Sequence, residues 1–180
     1  MSSTPRIPPV TPGTRAELAT IEARIDKARG RISPLYQVLL NSPPVVDGWE
    51  AMLTAIRLNT SVSPALREMT ILRVAVLNHA PYEFDAHVVH ARQAGIDDAL
   101  IEQLRHEVPP DSIDGIERVD THARDVLRLV DAMTRDIEVP DAIFDPLHAR
   151  FGPTVTLELV ATVAAYNMVS RFLVALRIGH

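Results

Sequence analysis

From Met69 to Leu77 nearly every residue is apolar, and Arg73 is the only charged one. Ser63 and Pro64 stand just ahead, an N-cap followed by proline at the first helical position. The spacing predicts a helix running to about Asn78. A helix apolar on every side has to be covered on every side. The rest of the chain must supply that cover, and its apolar residues decide how. Hydrophobic residues make up 47% of the sequence but aromatics only 4%, so Leu, Val, Ile, Ala and Met must build the core. That composition favours packed helices over sheets, which draw on aromatic and β-branched residues. An all-α fold of about eight helices is the expectation.

The other segments read the same way. Residues 1–13 form a Pro-rich arm, expected to be extended and draped over a neighbouring subunit. A single all-helical domain is expected over 14–180. Leu18, Ile21, Ile25 and Ala28 recur at helical spacing before Gly30. Pro34 opens a short helix through Leu40. Val45 to Leu58 forms another, with Trp49, Met52, Leu53 and Ile56 on its apolar side. Pro81 begins a helix that ends at Gly95, and Asp97 caps a short one reaching His106. Residues 107–114 read as a polar loop. A helix is expected from Ile116 to Arg135, with Val119, Ala123, Val126, Leu127, Leu129 and Val130 inward. Pro140 starts a helix that stops near Gly152, and Pro153 opens a long apolar one to about Arg177. No strand pattern is present.

Charge and composition exclude several functions. The net charge is -5 with no basic block, so nucleic acid is not an expected partner. Lys27 is the only lysine and lies in an exposed-looking segment, which disfavours Schiff-base chemistry. There is no cysteine, which rules out disulfides, thiolate metal sites and thiol peroxidase chemistry. The N-terminus does not read as a signal peptide, and no stretch is expected to reach the ~18 apolar residues of a membrane span. A cytoplasmic protein without membrane association is expected.

The chemistry concentrates in Leu66–Gly95, two helices joined at Asn78-His79-Ala80-Pro81. Glu68, Leu72, Ala75 and His79 share a face of the first. Glu83, His87 and His90 share a face of the second. Packed antiparallel, the helices bring Glu68 toward Glu83 and His87, an acid–base constellation. A plainer reading makes Glu83 and His87 a surface i,i+4 pair, and Glu68 a partly solvated carboxylate near a helix start. Glu83, His87 and His90 are too few to make a convincing metal site. Arg73 is a candidate clamp for an anionic substrate, or half of a structural ion pair with Glu68 or Glu83. Tyr82 is a candidate substrate contact, or a packing residue at the helix start. His79 and His90 read as structural or solvated.

Three runs then carry a resemblance. They are Arg67-Glu68-x-x-Ile71-Leu72-Arg73-Val74-Ala75, Tyr82-Glu83-Phe84-x-x-His87, and Ala91-Arg92-x-Ala94-Gly95. Together they resemble the carboxymuconolactone decarboxylase family, in the alkylhydroperoxidase-like superfamily. The likeness covers about residues 35–105, with a further stretch near 155–178 that includes Tyr166-Asn167-Met168-Val169-x-Arg171-Phe172-Leu173. Redox members of the superfamily carry a glutamate, a Cys-x-x-Cys pair and a histidine. Here Glu68 and His87 match the glutamate and histidine, while Ala80 and Glu83 stand where the cysteines would be. The resemblance therefore implies a cofactor-free lyase converting a substrate such as 4-carboxymuconolactone to 3-oxoadipate enol-lactone and carbon dioxide. Within that reading His87 moves the proton, Glu83 orients it or shares the proton, and Glu68 tunes it from behind. Arg73 and Tyr82 would contact the substrate. Another acid–base enzyme on this scaffold, such as an isomerase, hydrolase or cyclase, and a non-enzymatic binding member are the alternatives. The resemblance also implies trimers or hexamers, with the site near a subunit interface.

Overall fold

Side-chain caps and prolines set where the helices begin. The computed structural model describes residues 4–106, 113, 115, 116 and 119–179. Among these the structure is helical throughout, with eight α-helices and no strand. They divide into two compact units: one holds the described residues up to Asn59 together with those from Phe172, the other Thr60–Arg171.

In the first unit a 3₁₀ turn leads into α1 (Ala19–Arg29). Gly30 ends α1 in the left-handed conformation at φ 72° and donates its N–H to Asp26. α2 (Pro34–Leu39) and α3 (Pro43–Leu58) follow, both opened by proline. Trp49 of α3 meets Phe172 edge-on at 4.8 Å. The N-terminal arm is tied to its own chain. Val10 is buried and donates to the Gln37 carbonyl at 2.9 Å, and Arg6 donates to that of Leu176 at 2.9 Å. Glu50 is buried but fully partnered, accepting from Tyr36 (2.7 Å), Arg29 (3.1 Å) and Thr54 (2.6 Å). Burial holds the Tyr36 hydroxyl well above its usual pKa, so it stays protonated. One expectation fails here. Val46, Trp49, Leu53 and Ile56 do face inward, but Met52 is 42% exposed. α3 is apolar on its outer side too, at Val45, Met52 and Leu58, so periodicity alone did not identify the inner stripe.

The second unit is built around α4 (Pro64–Leu77), whose residues from Glu68 to Ala75 are all buried. The Ser63 hydroxyl accepts from the Leu66 N–H, so the expected cap is present. α5 (Pro81–Gln93) runs back along α4, and Gly95 follows it with φ 88°. α6 (Asp98–Arg105) is capped by Asp97, which accepts from the Leu100 N–H at 2.8 Å. The loop expected over 107–114 lies largely outside the described residues. α7 (Thr121–Asp131) starts later than the predicted Ile116, because Asp120 caps it through the Ala123 N–H. Its expected inward residues are all buried, and it runs on into a π-helical turn, Ala132–Asp136.

α8 (Asp141–Leu176) carries the last two predicted helices in one span. Gly152 interrupts it with φ 70°, ψ 175°, where the sequence places the stop. An 18-residue window of α8 has mean hydropathy 1.6, enough by composition to cross a membrane, which the sequence reading did not expect. Half of that window is buried inside the protein. Asn167 and Ser170 in α8 hydrogen-bond to side chains of the second unit, as polar groups of a core helix do.

Candidate active site

The α4–α5 hairpin places the site. His79 takes a left-handed φ of 52°, which lets the chain reverse within three residues, and Ala80 N–H bonds back to Ala75 at 2.8 Å. Antiparallel packing then sets Glu68 of α4 against His87 of α5. His87 Nδ1 lies 2.7 Å from Glu68 Oε2, with Glu68 2% and His87 8% exposed. A carboxylate only accepts, so Nδ1 carries the hydrogen of this bond. Arg67 Nε lies 3.4 Å from the other Glu68 oxygen. The His87 ring meets Tyr166 edge-on at 5.2 Å and His90 at 5.6 Å.

Glu83 lies one turn before His87 and is 2% exposed, so the surface-pair reading is excluded for this carboxyl. The bond it forms goes to α8, where Ser170 Oγ donates to Glu83 Oε2. Glu83 Oε1 has no hydrogen-bond partner among the described residues. Burial raises the Glu83 pKa from 4.5 to about 8, only partly offset by the Ser170 bond. At neutral pH Glu83 is therefore a carboxylic acid, and Oε1 is the oxygen placed to carry its proton. Two buried carboxyl groups of the hairpin thus sit in different environments, Glu68 paired to the imidazole and Glu83 holding a proton.

Arg73 is fully buried and clamped to Asp131 of α7 by two bonds, Nε–Oδ1 at 2.7 Å and Nη2–Oδ2 at 2.6 Å. The ion pair foreseen for it exists, but its partner is neither Glu68 nor Glu83. Tyr82 is half-buried on the first turn of α5. The carboxylate bonded to His87 is Glu68, whereas Glu83 is bonded to Ser170. Sequence reasoning missed Ser170 and Asp131, and it quoted Tyr166 without a role. Ser170 had a signal: it is a hydroxyl in the midst of an apolar helix. No group of three metal-ligating side chains is present among the described residues. Where the hairpin turns, a cleft of about 210 Å³ is lined by Ala75, Val76, His79, Ala80, Pro81, Phe84 and Arg105.

The profile of the carboxymuconolactone decarboxylase family matches residues 43–127, which include the whole hairpin. Over that stretch the chain is similar to the carboxymuconolactone decarboxylase family. No curated protein matches the chain. Among solved structures, an uncharacterized peroxidase-related protein from Silicibacter sp. TM1040 is similar with TM-score 0.79 at 20% identity, over 97% of this chain and 93% of that one. A peroxidase-related protein from Ralstonia eutropha JMP134, described as an alkylhydroperoxidase AhpD core, gives 0.78 at 15% identity, over 97% and 90%. The debrominase Bmp8 gives 0.80 at 11% identity, over 98% and 92%. At these identities the likeness is one of fold, the alkylhydroperoxidase-like helical fold. Activity on this scaffold extends beyond peroxide, as the debrominase shows. The chain has no cysteine.

Proposed function

We propose that the protein is a cofactor-free acid–base lyase that decarboxylates a small unsaturated carboxylated lactone, with 4-carboxymuconolactone as the first substrate to test. The observation that carries this reading is the Glu68–His87 bond of 2.7 Å beside a Glu83 that keeps its proton at neutral pH. The substrate carboxylate leaves as carbon dioxide, and the electron pair of the broken bond moves into the unsaturated lactone. Glu83 Oε1–H donates to the lactone carbonyl oxygen as charge builds there. The His87 imidazolium, its Nδ1–H held by Glu68, gives the Nε2 proton to the ring carbon and is reprotonated from solvent. The net change is one proton taken up for each carbon dioxide released. Arg67, beside Glu68, is the cation placed to hold a second, retained carboxylate of the substrate. Arg73 keeps Asp131 neutralised and does not take part.

The commitment of Arg73 to Asp131 also favours a second reading. With that cation spent inside the fold, the same pair serves an isomerase that moves a proton between carbons without losing carbon dioxide.

The test is a decarboxylation assay with wild type, His87→Ala and Glu68→Gln. Turnover that falls about a hundredfold or more in His87→Ala, as expected for loss of a general acid–base group, supports the lyase. A folded wild type that consumes the lactone without releasing carbon dioxide supports the isomerase. A folded wild type that leaves it unchanged removes this substrate class.

A further inference from the structure

We infer that Ser170 is a positioning residue for Glu83. Its hydroxyl occupies Glu83 Oε2 and so directs the carboxyl proton to Oε1, the donor in the proposed reaction on which this inference rests.

A serine inside a helix has a partner at hand, the carbonyl four residues earlier. Thr162 of α8 takes that course and donates to the Glu158 carbonyl at 2.7 Å. Ser170 instead sends its hydroxyl across to α5. Ser170 is 0% and Glu83 2% exposed, so the two groups meet inside the protein. A neutral carboxyl group has one hydrogen and two oxygens that can carry it. The oxygen that accepts from a hydroxyl is the less basic of the two. Oε1 has no partner among the described residues, so the hydrogen belongs there.

A second anchor keeps Ser170 in place. Asn167 stands three residues earlier on α8 and is buried. Its Oδ1 accepts from Asn78 Nδ2 at 2.9 Å and from Arg171 Nη1 at 2.6 Å. An arginine only donates, which fixes the orientation of the amide. Asn167 Nδ2 then donates to Thr134 Oγ1 and to the Val163 carbonyl, both at 3.0 Å. Asn78 ends α4, and Glu83 lies in the first turn of α5. α8 therefore holds the hairpin on both sides of its turn, and the hydroxyl of Ser170 meets Glu83 in a fixed register.

The charged groups on the neighbouring helices are engaged elsewhere. On α4, Glu68 holds His87 and has Arg67 beside its other oxygen. On α6, Arg105 donates to Asp85 at 2.8 Å. On α8, Arg171 donates to the Asn167 carbonyl at 3.0 Å. Two causes act on the ionisation of Glu83: burial, which raises its pKa, and the Ser170 bond, which lowers it by less. Removing the hydroxyl removes the one interaction that favours the ionised form.

The experiment is a pH titration of the full chain by infrared difference spectroscopy. It follows the carbonyl band of the protonated carboxyl group that is lost in Glu83→Gln. The wild-type midpoint is expected at about 8. Ser170→Ala is expected to move it up by about one pH unit or more, a tenfold change in the acid constant. Ser170→Cys, with a weaker donor, is expected to fall between the two. Asn78→Ala breaks the other anchor without touching Glu83, so it is expected to lower stability in urea and leave the midpoint alone. An unmoved midpoint in Ser170→Ala and Ser170→Cys would reduce Ser170 to the structural part of Asn78 and overturn the inference. A midpoint that falls would overturn it too, because Glu83 Oε2 would then be donating to Ser170. The titration needs no substrate. A wild type inert toward the lactone, with the upward shift present, removes the reaction and keeps the assignment of Ser170.

Discussion

Glu83 differs from an ordinary surface glutamate because nothing replaces the water it gives up except the Ser170 hydroxyl. Its proton is retained until the pH passes about 8. If that proton serves the reaction, kcat/KM falls as the pH rises through about 8. Glu83→Gln keeps a neutral donor but cannot ionise, so its profile should lose that limb while retaining part of the rate. A pH–rate series on both proteins checks this, and an unchanged limb in Glu83→Gln would assign the ionisation to another group. At this scale the sequence singled out side chains that the hairpin buries. Glu68, Glu83 and His87 were legible from helical spacing on two adjoining segments. Their division of labour was not. Glu68 meets His87 across 19 positions and Ser170 meets Glu83 across 87. Spacing within one helix carries no information about such partners.

Among the helices, boundaries marked by local chemistry were legible and the others were not. Ser63 and Asp97 cap because their side chains reach an N–H three residues on, an interaction written entirely in neighbouring sequence. α7 was misplaced because apolar spacing continues back to Ile116, while the deciding cap is Asp120. Met52 was misplaced because α3 is apolar outside as well as inside. The break in α8 at Gly152 adopts φ 70°, ψ 175°, a region nearly closed to residues with a Cβ. A Cβ added there meets nothing within 4 Å, so the cost of Gly152→Ala is backbone strain alone. Destabilisation of about 1–3 kcal/mol is expected, read from the urea midpoint. α4 and α7 are tied by the buried Arg73–Asp131 pair. Asp131→Ala leaves the guanidinium buried without its counter-charge and should cost about 3–5 kcal/mol by the same measurement.

For the molecule as a whole, the raised pKa of Glu83 is also a statement about folding. The unfolded chain releases this proton near pH 4.5, whereas the folded protein keeps it to about 8. Between those values the native state binds more protons, so this group's contribution is full below pH 4.5 and fades as the pH rises toward 8. Urea unfolding at pH 5, 6.5 and 8 should show wild type losing stability relative to Glu83→Gln as the pH rises. A constant difference would mean that the carboxyl ionises alike in both states. The all-helical architecture was legible at this scale because one helix, α4, is apolar all round and has to be enclosed. The division into two compact units was not, since Phe172–Leu176 belongs with helices more than a hundred residues earlier in the chain.

Where the resemblance to the redox members implies a thiol, this chain has the carboxyl group of Glu83. A carboxyl group cannot be oxidised to a sulfenic or sulfinic form and needs no reductant to restore it between turnovers. A burst of hydrogen peroxide in the cell that would silence a thiol-dependent neighbour has no target at Glu83. The proton transfer proposed for Glu83 has no thiol step for peroxide to interrupt.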